Sequence, residues 1–462
     1  MNKTLLAVGL AFAFAGAANA TTITPVNMDP AGAGLNDTTV ATPVGGNIGT
    51  TVGEQRRIAY QFAADLWEVM LGSSVEIKVE ASFAALSCTA TSGVLGSAGT
   101  RTVHADWTGG TAPVANTWYG AALANSLAGS DLDPTNNDIR SQFNANLGQP
   151  ACLAGSGWYY GLDGNTPVGK INFLDVVMHE IGHGLNFQGF YSLGTGAPFS
   201  GRADIYSRNV FDNNSGLAWT AMTDAQRVTA AIGANLVWTG ATVTAEAPAL
   251  LGDQVNLYLL SNRPKDFPMV TAGYGPVATT ANFGAGQIVK VKDVAGGTSL
   301  GCAAFPAGAY AGKTVLIDRG TCSFKLKTLN AQNAGATKVI VANNAAAGYP
   351  GMGDDAAITD TITIPSIGIT KAAGDTIKKS LLVGVQGALQ VKPGQFAGTD
   401  TSGRVYLYAP NPVAGGSSFS HFDVSLSPNA LMEPFINDSL NAAVELDLTP
   451  ALFEDLGWDM TP

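Results

Sequence analysis

The sequence predicts an α+β chain whose helices and strands fall in separate runs, interrupted by a β-rich segment in which strands and helices alternate. Three observations predict it. A helical pattern over residues 54–71 and an alternating strand pattern over residues 75–83 precede an apolar helix at residues 172–187. From about residue 271 to residue 392 strand-like runs alternate with short helical ones. Beyond that the chain returns to loops and one short terminal helix. The expected division is a leader at 1–20, a first part at 21–270, an insertion at 271–392 and a second part at 393–462.

Residues 1–20 have the layout of a secretory signal peptide. Lys3 supplies the positive start, Leu5 to Phe14 the apolar centre, and Ala18-Asn19-Ala20 the small-residue cleavage site. The mature chain is expected to begin at Thr21 and to be secreted, or periplasmic if the source is a Gram-negative bacterium. No later apolar run reaches about 18 residues, so no stable membrane anchor is expected. A length of 462 residues with 46% hydrophobic and 13% charged residues allows large cores and excludes disorder throughout. The formal net charge of −11 argues against nucleic acid and anionic membranes as partners. Four cysteines in a secreted chain favour disulfides and allow three connectivities. Shared segments favour Cys88 with Cys152 and Cys302 with Cys322.

The helix at 172–187 carries the chemistry. It contains His179-Glu180-Ile181-Gly182-His183, the pattern H-E-x-x-H. Histidines four apart project from one helical face and can grip one metal ion. Glu180 is rotated enough to miss that ion yet reach a water on it. Leu174, Val177, Met178, Ile181 and Leu185 form the buried stripe. Asn172, with Asp175 three residues later, marks the helix start. Gly182 and Gly184 each cost about 1 kcal/mol of helix propensity, which close approach of another group would offset. Only four histidines occur in the chain, so two in this motif argue for one catalytic Zn2+.

Along the rest of the chain, the helix at 54–71 is expected to bury Ile58, Phe62, Ala63, Leu66 and Met70. His104 reads as a structural histidine in or at the end of a strand. Asp131 to Asn137 is an acidic loop without the ordered spacing of a calcium site, so Ca2+ is unsupported there. Residues 221–233 read as a helix, whereas the Thr/Ala/Pro-rich stretch around Glu246 does not. Thr449 and Pro450 read as cap and first position of a terminal helix that Gly457 stops.

Helix, strand, further strands and then an H-E-x-x-H helix resemble the zincin metallopeptidases. The resemblance implies a mixed twisted sheet whose edge strand borders a substrate cleft. The extended metzincin motif fails, because Asn186 and Gly189 stand where its Gly and last His belong. Asp204 and Glu246 are weak candidates for the third ligand. The segment from Ser420 to Pro434 resembles leishmanolysin-like peptidases, in which a distant His precedes a Met-containing turn. That resemblance implies His421 as the third zinc ligand and Met432 as the Met-turn residue. Phe422 departs from it, since a Trp is common at that place.

Gly312 to Phe324, Asn333-Ala334-Gly335-Ala336 and Ile364 to Ile369 resemble the protease-associated (PA) domain. In that family the domain is non-catalytic and interrupts peptidase domains at loops, which explains the distance between His183 and His421. The whole then implies a secreted zinc metalloendopeptidase acting on protein or peptide substrates, with Glu180 as general base. The rival expectation is a non-catalytic binding protein that uses the PA segment to hold a peptide or protein.

Overall fold

The computed structural model describes residues 21–108, 112–260, 264–346, 348–355, 357–435 and 447–460. The expected leader at 1–20 lies outside the described residues. A four-stranded mixed sheet opens the fold, in the order Ile23–Asn27, Ile77–Ala84, Ile139–Asn144, Gly96–Thr100. The first three strands run parallel and Gly96–Thr100 antiparallel at the edge. Two helices cover one face. Val52–Met70 starts with a full capping box, Thr51 and Glu54 each bonding the other's backbone N–H. Its Tyr60 hydroxyl meets Ser141 Oγ at 2.8 Å, anchoring helix to sheet.

The second helix, Phe173–Gly184, packs against the first. Trp67 Nε1 donates to the Met178 carbonyl at 3.1 Å. Gly184 makes the approach to the sheet possible, since a Cβ there would sit 2.3 Å from Ile139 Cγ2. Beneath it lies the terminal helix Thr449–Leu456. Phe453 of that helix meets Trp67 edge-on, centroids 5.3 Å apart, and Trp458 Nε1 donates to the Leu185 carbonyl at 2.8 Å. The first and last parts of the chain therefore share one core.

Between them stands an eight-stranded sheet with its own two clusters of buried apolar residues. Its centre is four parallel strands, Gly286–Lys290, Thr314–Asp318, Lys338–Ala342 and Ser366–Ile369, with helices Phe324–Asn333 and Lys371–Ser380. Asp253–Leu260 and Val385–Phe396 pair antiparallel and carry the chain in and out. The sheet thus reaches beyond the 271–392 expected.

Four local expectations are corrected. The helix Val52–Met70 buries Ala59, Tyr60, Ala63, Ala64 and Trp67, while Ile58, Phe62, Leu66 and Met70 flank that stripe. Small residues and two aromatics make the tight face, so counting large aliphatics rotated the stripe. Ala241–Leu250 is a helix despite Pro248, held at its start by Asp455, which accepts from the N–H groups of Thr242 and Val243. Thr449 is the first residue of the terminal helix rather than its cap; the Asp447 carboxylate accepts from its N–H. The expected helix at 221–233 spans only Asp224–Ala230.

Candidate metal centre

The histidine helix starts where the Asn172 side chain accepts from the Leu174 N–H at 3.0 Å. It stops at Asn186, whose backbone is left-handed (φ 90°). That turn brings the Phe187 carbonyl to 2.9 Å from His183 Nδ1. His179 Nδ1 lies 2.7 Å from the Leu431 carbonyl, and His421 Nδ1 2.7 Å from the Ser417 carbonyl. A carbonyl only accepts, so each Nδ1 carries the proton and each Nε2 presents a lone pair.

The three Nε2 atoms converge. His179 and His183 are 3.0 Å apart, His179 and His421 3.1 Å, His183 and His421 3.2 Å. Three lone pairs aimed at one point repel unless a cation lies between them. Protonation does not relieve this, because burial pushes His179 down to about 4 and His183 to about 3. Burial and the two neighbouring rings hold His421 well below its ordinary range. Nitrogens about 2.0–2.1 Å from a tetrahedral zinc stand roughly 3.3 Å from one another. The donor set fits zinc, with the fourth position left for water or substrate. Each outer N–H is fixed by a carbonyl, the arrangement that orients metal-binding histidines.

Glu180 is buried beside the triad. Its carboxylate accepts from the Ala98 N–H, and its Oε2 has no partner among the described residues. Burial pushes the carboxyl up to about 8 against that hydrogen bond. The charge of a bound dication acts in the opposite direction. The edge strand Gly96–Thr100 runs against this carboxylate: a Cβ on Gly96 would lie 2.5 Å from Glu180 Oε1.

Met432 lies under the helix, with Sδ 2.7 Å from where a Cβ on Gly182 would be. The Phe422 N–H donates to the Met432 carbonyl at 2.9 Å, which ties this turn to His421. The turn has a further support that sequence reasoning missed. The Asp447 carboxylate accepts from the Leu431 N–H, and Leu431 is the residue whose carbonyl holds His179.

The other candidates lie elsewhere. Asp204 is a buried helix cap that accepts from Ser207 N–H, Ser207 Oγ and Phe190 N–H. Glu246 is exposed on its helix. His104 Nε2 faces Thr102 Oγ1 at 3.2 Å. In the acidic loop Asp133 accepts from the side chains of Thr135 and Asn136. Cys88 is bonded to Cys152 and Cys302 to Cys322.

Comparison with known proteins identifies one part of the chain. The PA domain model matches residues 284–377, so a PA domain is present. Vacuolar-sorting receptor 5 of Arabidopsis thaliana is 34% identical over 127 residues, 25% of this chain and 20% of that protein. Vacuolar-sorting receptor 3 of the same plant is 41% identical over 73 residues, 14% of this chain and 12% of that protein. The chain thus spans no more than a fifth of the curated relatives it matches. Among solved structures, the zinc aminopeptidase BSAP of Bacillus subtilis is 19% identical, with a TM-score of 0.22, over 32% of this chain and 36% of that one. An aminopeptidase of Aneurinibacillus sp. strain AM-1 is 26% identical at a TM-score of 0.22, over 30% of each chain. Likenesses at this level say nothing about the chemistry of the chain.

Proposed function

We propose that the chain is a secreted zinc-dependent endopeptidase of the zincin type, with an inserted PA domain. The observation that carries this reading is the convergence of three neutral histidine Nε2 atoms beside a buried glutamate with one unpartnered oxygen. His179, His183 and His421 hold the ion. When bound, zinc lowers the pKa of a coordinated water to about 7 and polarises a peptide carbonyl. Glu180 takes the proton of the attacking water at Oε2 and delivers it to the leaving amine. The Ala98 N–H keeps that carboxylate aimed at the cleft. The outer edge of Gly96–Thr100 is not paired within its sheet, and an extended peptide can add there as a further strand. An internal stretch of substrate fits such an edge, which is why endopeptidase action is favoured. No helix of the described residues is long and apolar enough to cross a membrane.

The test is casein cleavage by purified protein with and without a chelator, repeated with Glu180→Gln. Chelator-sensitive cleavage that Glu180→Gln abolishes while keeping stoichiometric zinc supports the reading. A protein that binds peptides but cleaves none, with or without added zinc, moves the function to the non-catalytic alternative.

A further inference from the structure

The outer face of the same edge strand holds a feature that the hydrolytic chemistry does not use. Gly99 pairs directly with Arg140, and Ser97 with Gln142. Ser141 bonds Tyr60, and Ile139 packs at Gly184, so alternate residues of that neighbouring strand face the helices. Arg140 and Gln142 therefore stand on the opposite, solvent side. A recess on that side is lined by residues 97–101 together with Arg140 and Gln142.

Arg101, Arg140 and Gln142 bring polar side chains to it. Gly99, the register partner of Arg140, puts no side chain of its own on that face. From the other side Gln188 reaches in: a Cβ on Gly99 would sit 3.0 Å from its Oε1. Arg101 flanks the recess, tethered 3.5 Å from Glu80. Arg140 is exposed, and none of the ion pairs among the described residues includes it. Glu80, the register partner of Arg140 on the next strand, shares this face, so two arginines outnumber one carboxylate here in a chain with 24 basic and 35 acidic residues.

The position relates the recess to the reaction. Gly96 and Ala98 touch the Glu180 carboxylate, and Gly99 is the next residue along the same strand. A peptide paired on this edge sends alternate side chains to the solvent face, at about 3.4 Å per residue. One of them, about one to three residues from the scissile bond, reaches the recess.

We propose that this recess is a subsite for a carboxylate of the bound peptide. Arg140 supplies the charge, with Arg101 beside it and the amides of Gln142 and Gln188 completing the polar wall. The inference rests on the peptidase reading and gives it a substrate class: peptides with an acidic group on one side of the cleavage point. The carboxylate has two sources, an internal Asp or Glu side chain and a free C-terminus.

The experiment uses full-length mature protein and two readouts. The first is kcat/KM on fluorogenic peptides that differ at single positions as Glu, Gln or Lys, each made with a free and with an amidated C-terminus. The second is anisotropy of the same labelled peptides on zinc-loaded Glu180→Gln, which reads binding without turnover. The expected result is a Glu-over-Gln preference of about two- to fivefold at one position, the scale of an exposed ion pair. Arg140→Gln levels that ratio, and Arg140→Glu turns it towards Lys. A preference that follows the terminal carboxylate rather than the internal one identifies the second source. Equal Glu and Gln ratios at every position, or a preference that survives Arg140→Glu, overturn the proposal. If the wild type cleaves no peptide the peptidase reading fails, and the anisotropy ratios still decide on the recess.

Discussion

At the scale of single residues the centre depends on where protons sit. Each histidine is made a lone-pair donor by one carbonyl, and those carbonyls belong to Leu431, Phe187 and Ser417. His421→Ala removes one of three donors, and the expected outcome is loss of most bound zinc on dialysis. Asp204→Ala should leave zinc content unchanged and lower thermal stability, since three hydrogen bonds to a buried carboxylate disappear, at about 1–3 kcal/mol. Metal analysis and thermal unfolding of the two variants check this, and the reverse ranking of zinc content would move the third ligand. The pair His179 and His183 was legible because both lie on one helical turn. His421 was not legible from spacing, since its register with the helix is set by long-range packing of Phe422 on Phe187, ring centroids 5.1 Å apart. A family resemblance supplied it. Asp447 gave no local signal at all, because its role exists only through a turn brought to it by the fold.

At the scale of elements, glycines decide how close the parts approach. The sequence marked Gly182 and Gly184 as costly in a helix, and the structure gives each a neighbour, Met432 and Ile139. Gly96 was not marked, since a glycine in a Gly- and Thr-rich strand looks ordinary until the helix is placed beside it. Gly96→Ala is expected to keep zinc and lose activity. The new methyl would sit 2.5 Å from Glu180 Oε1 and 2.7 Å from its Cγ, so the carboxylate must shift. A displacement near 1 Å costs about a hundredfold in rate. The check is kcat/KM beside zinc content, and an Ala variant as active as wild type would mean that the carboxylate does not work from this position. The strands and helices of the insertion were legible because short buried strands between capped helices have strong local patterns. The helix around Glu246 was hidden because its stability comes from Asp455, which lies far away in sequence.

At the scale of the molecule, the insertion and its host are joined by a two-strand stalk, and Tyr349 of the insertion also stands near host residues. The strands that lead in and out face each other at their base, Asp253 opposite Phe396. The Ala397 N–H donates to the Gly252 carbonyl at 2.9 Å, and the Gly252 N–H to the Ser427 carbonyl at 2.7 Å. The two sides have separate buried clusters, so neither needs the other to fill its core. This geometry was beyond the sequence, which showed a change of pattern near residue 271 but not that Asp253–Leu260 pairs with the returning strand. Replacing residues 253–396 with a two-residue Asn-Gly turn is geometrically compatible with that pairing. The shortened chain is expected to fold and to bind zinc as the full chain does. Gly252 and Ala397 remain, so the segment between His421 and Met432 keeps its anchor at Ser427. What it loses is the cover of Tyr349, which stands near Asp423 and Tyr406 and whose hydroxyl burial holds well above its ordinary range. A lower melting temperature with full zinc occupancy is therefore the expected result, read by calorimetry and metal analysis. If excision empties the zinc site while the chain still folds, the insertion is a structural part of the metal centre, and the stalk transmits more than attachment.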